Sequence, residues 1–154
     1  MRTLRSARTR RTRGQALIEM GFVVVLLTFL AMGIVEVGYA FARTNMIVHA
    51  ARDGARFGAT LDASMRDANT GCFTGSGTST IRTHVTQALN NIGFTANSIS
   101  VTQACSGVIP IVTVTITGPL NLLFNLLPRG NSINVNRTVT FEDEGRVCNG
   151  GGSC

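Results

Sequence analysis

Arg13-Gly14-Gln15-Ala16-Leu17-Ile18-Glu19-Met20-Gly21-Phe22-Val23-Val24-Val25-Leu26-Leu27 opens an apolar run that continues to Ala42. From Met20 to Ala42 only Thr28 and Glu36 interrupt it, and these 23 residues make a helix of about 34 Å, enough to span a bilayer core. A secretory signal peptide is the competing reading, because Ala40-Phe41-Ala42 imitates a small-residue cleavage site. The run is longer than the ~7–15 residues of a signal h-region, and the helical pattern passes Ala42 without a turn signal. Glu19 stands where hydrocarbon should begin. An ionised group at that depth costs roughly 2.5–3.5 kcal/mol on insertion scales, so it needs a partner or a task. Glu36 is 17 positions further on, about 25 Å along a helix, and reads as a solvated carboxylate near the outer interface.

Outward from the span, the charge is uneven. The net charge is +6 and all 14 basic residues are Arg. Six of them (Arg2, Arg5, Arg8, Arg10, Arg11, Arg13) precede Gly14, and the remaining eight balance eight carboxylates. The basic segment therefore reads as a topology signal that stays cytoplasmic rather than as a nucleic-acid-binding arm. The absence of lysine from the sequence removes P-loop and Schiff-base chemistry. There is no Cys-x-x-Cys, His49 and His84 stand far apart, and no Ser/His/Asp set or carboxylate pair forms a pocket motif. The expectation is no enzyme, no cofactor and no metal site. Glu142-Asp143-Glu144 reads as a solvated strand end.

Past the span, Thr44 to Leu61 has no proline and continues the helix. Ala50, Gly54 and Gly58 recur every four residues, as do Ala51, Ala55 and Ala59, which makes a smooth face suited to close helix packing. The face fits either a helix of another chain or the protein's own head. Residues 62–80 read as a loop, with Gly75-Ser76-Gly77 as a turn signal. Thr80 to about Asn91 reads as a helix closed by Gly93. Three runs then alternate with period two: Ile99, Val101 and Gln103; Val112, Val114 and Ile116; Ile133, Val135, Val139 and Phe141. They predict a small antiparallel sheet buried on one side. Leu120 to Leu127, with asparagines four apart, reads as a helical lid on it in preference to an exposed partner or membrane contact. The fold class is α+β: a long transmembrane and stalk helix, then a head with a second helix and roughly three strands. The division is a basic leader at 1–14, the helix at 15–61 and the head at 62–154.

Cys72, Cys105, Cys148 and Cys154 all follow the span, so with the N-terminus inside they face an oxidising exterior and should pair. Three connectivities exist. Cys148 with Cys154 and Cys72 with Cys105 is the favoured pattern, and Cys105 with Cys148 competes.

The Gly14…Glu19 spacing resembles the processing site of type IV prepilins. Arg13 to Glu19, then Gly33-Ile34-Val35-Glu36-Val37-Gly38, then Ala50-Ala51-Arg52-Asp53-Gly54-Ala55-Arg56-Phe57-Gly58-Ala59, resembles the TadE family of minor pilins and pseudopilins of the tight-adherence pilus system. Tad-type pilins commonly carry tyrosine after the glutamate, where this chain has Met20. The resemblance implies cleavage between Gly14 and Gln15 by a prepilin peptidase. It implies that Glu19 meets the freed amine of a neighbouring subunit, and that the Ala50/Gly54/Gly58 face packs on a related pilin. It also implies residence in the inner membrane as a single-pass protein, N-terminus cytoplasmic and head outside, with the filament as a further destination. The alternative is an unprocessed single-pass membrane protein exporting an adhesion or binding domain.

Overall fold

A computed structural model describes residues 9–106, 109–124 and 132–143. Helix α1 spans Thr9–Ala59, and a 3-10 turn follows at Ala63–Met65. Helix α2 spans Gly75–Asn91, and strands β1, β2 and β3 span Ser98–Ser106, Ile109–Asn121 and Ser132–Glu142. The strands form one antiparallel sheet in the order β1-β2-β3. This is the α+β architecture that the periodicities predict.

α1 is 51 residues, about 76 Å long, and its two parts have different surroundings. In the first part, Leu17, Phe22, Leu26, Phe29, Ile34 and Phe41 are all exposed. Its most apolar 18-residue window has a mean hydropathy of 2.4 and none of it is buried within the chain. Thr28 donates its hydroxyl to the Val24 carbonyl at 2.8 Å, so this polar group is satisfied along the helix itself. The second part, from Ile47 to Ala59, forms one wall of the core.

α2 and the sheet supply the other walls. Ile81, Val85 and Leu89 lie four apart on the buried stripe of α2 and meet Ala51 and Ala55 of α1 in one cluster with Val114 and Ile116 of β2. β2 is the central strand, and Val112, Val114, Ile116 and Leu120 alternate inward along it. β3 buries only Val135 well, and its two ends present Ile133 and Phe141 partly to solvent. On the opposite face, Thr115 and Thr138 hydroxyls bond across the strands at 2.9 Å.

Three sequence expectations are corrected. α2 begins at Gly75, not Thr80: the Thr74 hydroxyl accepts the Gly77 N–H at 3.3 Å, and the Thr74 carbonyl accepts the Thr78 N–H at 3.0 Å. A capping side chain thus turns the apparent glycine turn into a first helical turn. The segment from Leu120 is not helical as far as it is described. β2 runs on to Asn121, with Leu120 paired to Ile133, because the inward alternation continues from Ile116 through Gly118 to Leu120. The rest of that segment, from Asn125, lies outside the described residues, as do Cys148 and Cys154.

Asp143 is the third correction. It is buried and forms a 2.8 Å ion pair with Arg66. Arg66 also donates to the Gly58 carbonyl at 2.9 Å and lies 4.4 Å from the Phe73 ring centroid. One guanidinium thereby ties the end of β3 to the end of α1.

Candidate membrane and assembly interface

Gly14, Gln15 and Glu19 lie on the exposed part of α1, which begins at Thr9 and passes through the Gly14–Gln15 bond without a break. The Gln15 amide donates to Glu19 Oε1 at 3.4 Å, a long contact between neighbours one turn apart. Glu19 is otherwise exposed. A Cβ at Gly14 would meet nothing within 4 Å, so folding of this chain does not require glycine there.

Glu36 has a different environment. It is 7% exposed, and its two carboxylate oxygens accept the backbone N–H groups of Leu123 at 2.8 Å and Phe124 at 2.9 Å. It is not the solvated carboxylate that its position in sequence suggests. The donors come from the end of β2, 87 and 88 positions away, and no local pattern announces them. One and two turns on, Tyr39 and Arg43 continue the same helix face. Arg43 donates Nε to the Tyr39 hydroxyl at 3.1 Å and Nη1 to the Ile92 carbonyl at the end of α2. A collar of Glu36, Tyr39 and Arg43 therefore holds both loops at the near end of the head. The spacing of three and four, where the apolar run gives way, is the signal in the sequence that could have found it.

The Ala50/Gly54/Gly58 face does pack against a helix, but that helix is the chain's own α2. A Cβ on Gly54 would overlap Val85 Cγ2. One on Gly58 would lie 2.9 Å from Ile81 Cδ1 and 3.1 Å from Val112 Cγ1. Ala50 is buried in the same core. Small residues here let α2 and the sheet approach the α1 backbone, so the face is filled within the chain rather than offered to a second one.

Around the far loop, Gln103 of β1 accepts the Phe73 N–H at 2.8 Å and donates to the Gly71 carbonyl at 3.4 Å. Cys72, between them, is disulfide-bonded. Asp67 caps the same loop by accepting the N–H groups of Asn69 and Thr70 and the Thr70 hydroxyl at 2.9–3.1 Å. The Thr70 backbone bond, then those from Asn69 and the Thr70 hydroxyl, hold its carboxyl below the ordinary value of 3.8. His84 Nε2 lies 2.9 Å from Asp53, and its ring stacks on Phe57 at 4.4 Å between centroids. Among the described residues, no three His, Cys, Asp or Glu gather into a group able to hold a metal ion.

Residues 14–56 match the model of a family described as TadE-like protein. This segment, less than a third of the chain, is similar to that family. The match begins at Gly14 and includes Glu19, Glu36, Tyr39 and Arg43, and it ends at Arg56, before the greater part of the head. No curated protein and no solved structure matches the chain. The long apolar helix fits a single-pass membrane protein.

Proposed function

We propose that this protein is a minor pilin or pseudopilin that takes part in assembling a Tad pilus, after a prepilin peptidase cuts between Gly14 and Gln15. The observation that carries the reading is Glu19. It is a carboxylate exposed on the apolar part of α1, five positions past Gly14, and both residues fall within the TadE-like segment. Cleavage would release the α-amine of Gln15 in one subunit. Its attraction to Glu19 of a neighbour, about 4 kcal/mol at 4 Å and an effective dielectric of 20, is on the scale of the cost of burying the carboxylate in the bilayer. Such a pair draws an incoming subunit into register. Gly14 supports the same reading, since nothing in the fold excludes a side chain there. A substrate residue that must enter a peptidase pocket has its own reason to be small.

The Arg-rich leader supports an N-terminus in the cytoplasm and a head outside, where Cys72 is able to hold its disulfide. A head beginning near residue 62 favours a minor or priming component over the filament bulk. The variant Glu19→Ala tests the role. It should still reside in the membrane, because removing a charge favours burial, yet fail to support piliation. Normal pili with that variant would rule the registry role out.

A further inference from the structure

We propose that Leu123 and Phe124 dip into the outer-leaflet interface of the lipid bilayer, held there by Glu36, so that the head lies on the membrane instead of standing off on a stalk. The inference rests on reading α1 as the membrane span. Glu19, where hydrocarbon begins, to Glu36 covers 17 helical steps, about 25 Å, slightly less than a hydrocarbon core of about 30 Å, so Glu36 lies near its outer boundary. With the Arg-rich end in the cytoplasm, Glu36 sits at the far boundary. Its bonds to the Leu123 and Phe124 N–H groups fix the end of β2 at that depth.

The loop is built as lipid contact requires. The N–H groups of Leu123 and Phe124 are satisfied by a carboxylate, and backbone groups near hydrocarbon must be satisfied within the protein. Leu122 turns into the head and is 6% exposed, whereas Leu123 is 51% and Phe124 41% exposed. On α1, Val37 and Phe41 are exposed within about a turn and a half of Glu36, so the apolar surface of the span continues past the carboxylate toward the head. Continuity with the span, at matching depth, makes lipid the occupant of this patch. The arrangement also accounts for a buried glutamate where a solvated one was expected: its charge satisfies the loop, and the loop replaces the water it loses.

The sequence contains no tryptophan, so single tryptophans report depth without background. The full chain, purified and reconstituted in vesicles of phosphatidylcholine with bromines on upper or lower acyl positions, carries Leu123→Trp or Phe124→Trp. Leu30→Trp marks the interior of the span, about 9 Å in from Glu36, and Phe141→Trp marks the opposite end of the sheet. Both loop variants should emit to the blue of Phe141→Trp and be quenched most by the upper bromines. Adding Glu36→Ala should weaken that quenching. Quenching of Leu30→Trp with both loop probes as unquenched as Phe141→Trp would overturn the inference and leave the membrane span intact. An unquenched Leu30→Trp would remove the span, and the inference with it. A second TadE-like subunit as the true occupant would show as loop quenching absent from these single-protein vesicles, which is again the overturning result.

Discussion

Both parts of α1 carry an apolar face, yet one faces away from the chain and the other, with Arg52, Asp53 and Arg56 exposed on its far side, forms a wall of the core. Before Glu36 the side chains are large: Leu17, Phe22, Leu26, Phe29 and Leu30 project from the helix and are more than half exposed, while Ala50, Ala51, Ala55 and Ala59 beyond it are buried. Lipid fills whatever space large side chains leave. A packed protein wall needs backbones close together, which Ala and Gly permit. On the apolar face, side-chain size therefore separates the membrane part from the head part, and Glu36 lies near the change.

The largest effect should come from the far end of the buried part. Arg66→Ala removes the ion-pair partner of the buried Asp143 and should cost about 3–5 kcal/mol, enough to unfold the head in a thermal melt in detergent. Next, Gly54→Leu drives a side chain into Val85 and should destabilise the head by about 1–3 kcal/mol or more. Gly33→Leu, where a Cβ would meet nothing within 4 Å, should leave the melt unchanged. Equal effects at the two glycines would break the contrast between the parts. Glu36→Ala removes charged acceptors from two N–H groups and should cost about 1.5–3 kcal/mol, seen first as faster hydrogen exchange at Leu123 and Phe124.

The smallest effect is pH-dependent and lies in the loop beyond α1. The carboxyl of Asp67 has its folded pKa held below the ordinary 3.8, so its contribution is present above that value and is lost as pH falls through the lower folded pKa. Asp67→Ala should therefore melt slightly below the parent at neutral pH and converge with it in stronger acid. A difference that grows as pH falls would contradict the capping role.

The span and the three strands were legible because each repeats its own period, an unbroken apolar run and alternation such as Val112, Val114 and Ile116, and the end of α2 was legible from the closing Gly93. What escaped has no period. Glu36 finds its donors at the end of β2, and Arg66 finds Asp143 77 positions away, contacts that only the folded chain brings together. The Ala50/Gly54/Gly58 face was legible as a packing surface, but composition alone does not distinguish the chain's own helix from a neighbour's. The start of α2 was hidden because Gly75-Ser76-Gly77 is turn chemistry in isolation and becomes helical only under the Thr74 cap. At Leu120 the strand alternation outweighed the asparagine spacing that suggested a helix.

Intact-mass and N-terminal analysis of the protein isolated from native membranes tests the central claim most directly. The account predicts a chain beginning at Gln15, with the basic leader gone and the whole apolar helix kept. A chain beginning at Met1 would make this an unprocessed membrane protein, and one beginning at Arg43 would make the apolar run a signal peptide. Either result contradicts the assembly role assigned to Gly14 and Glu19.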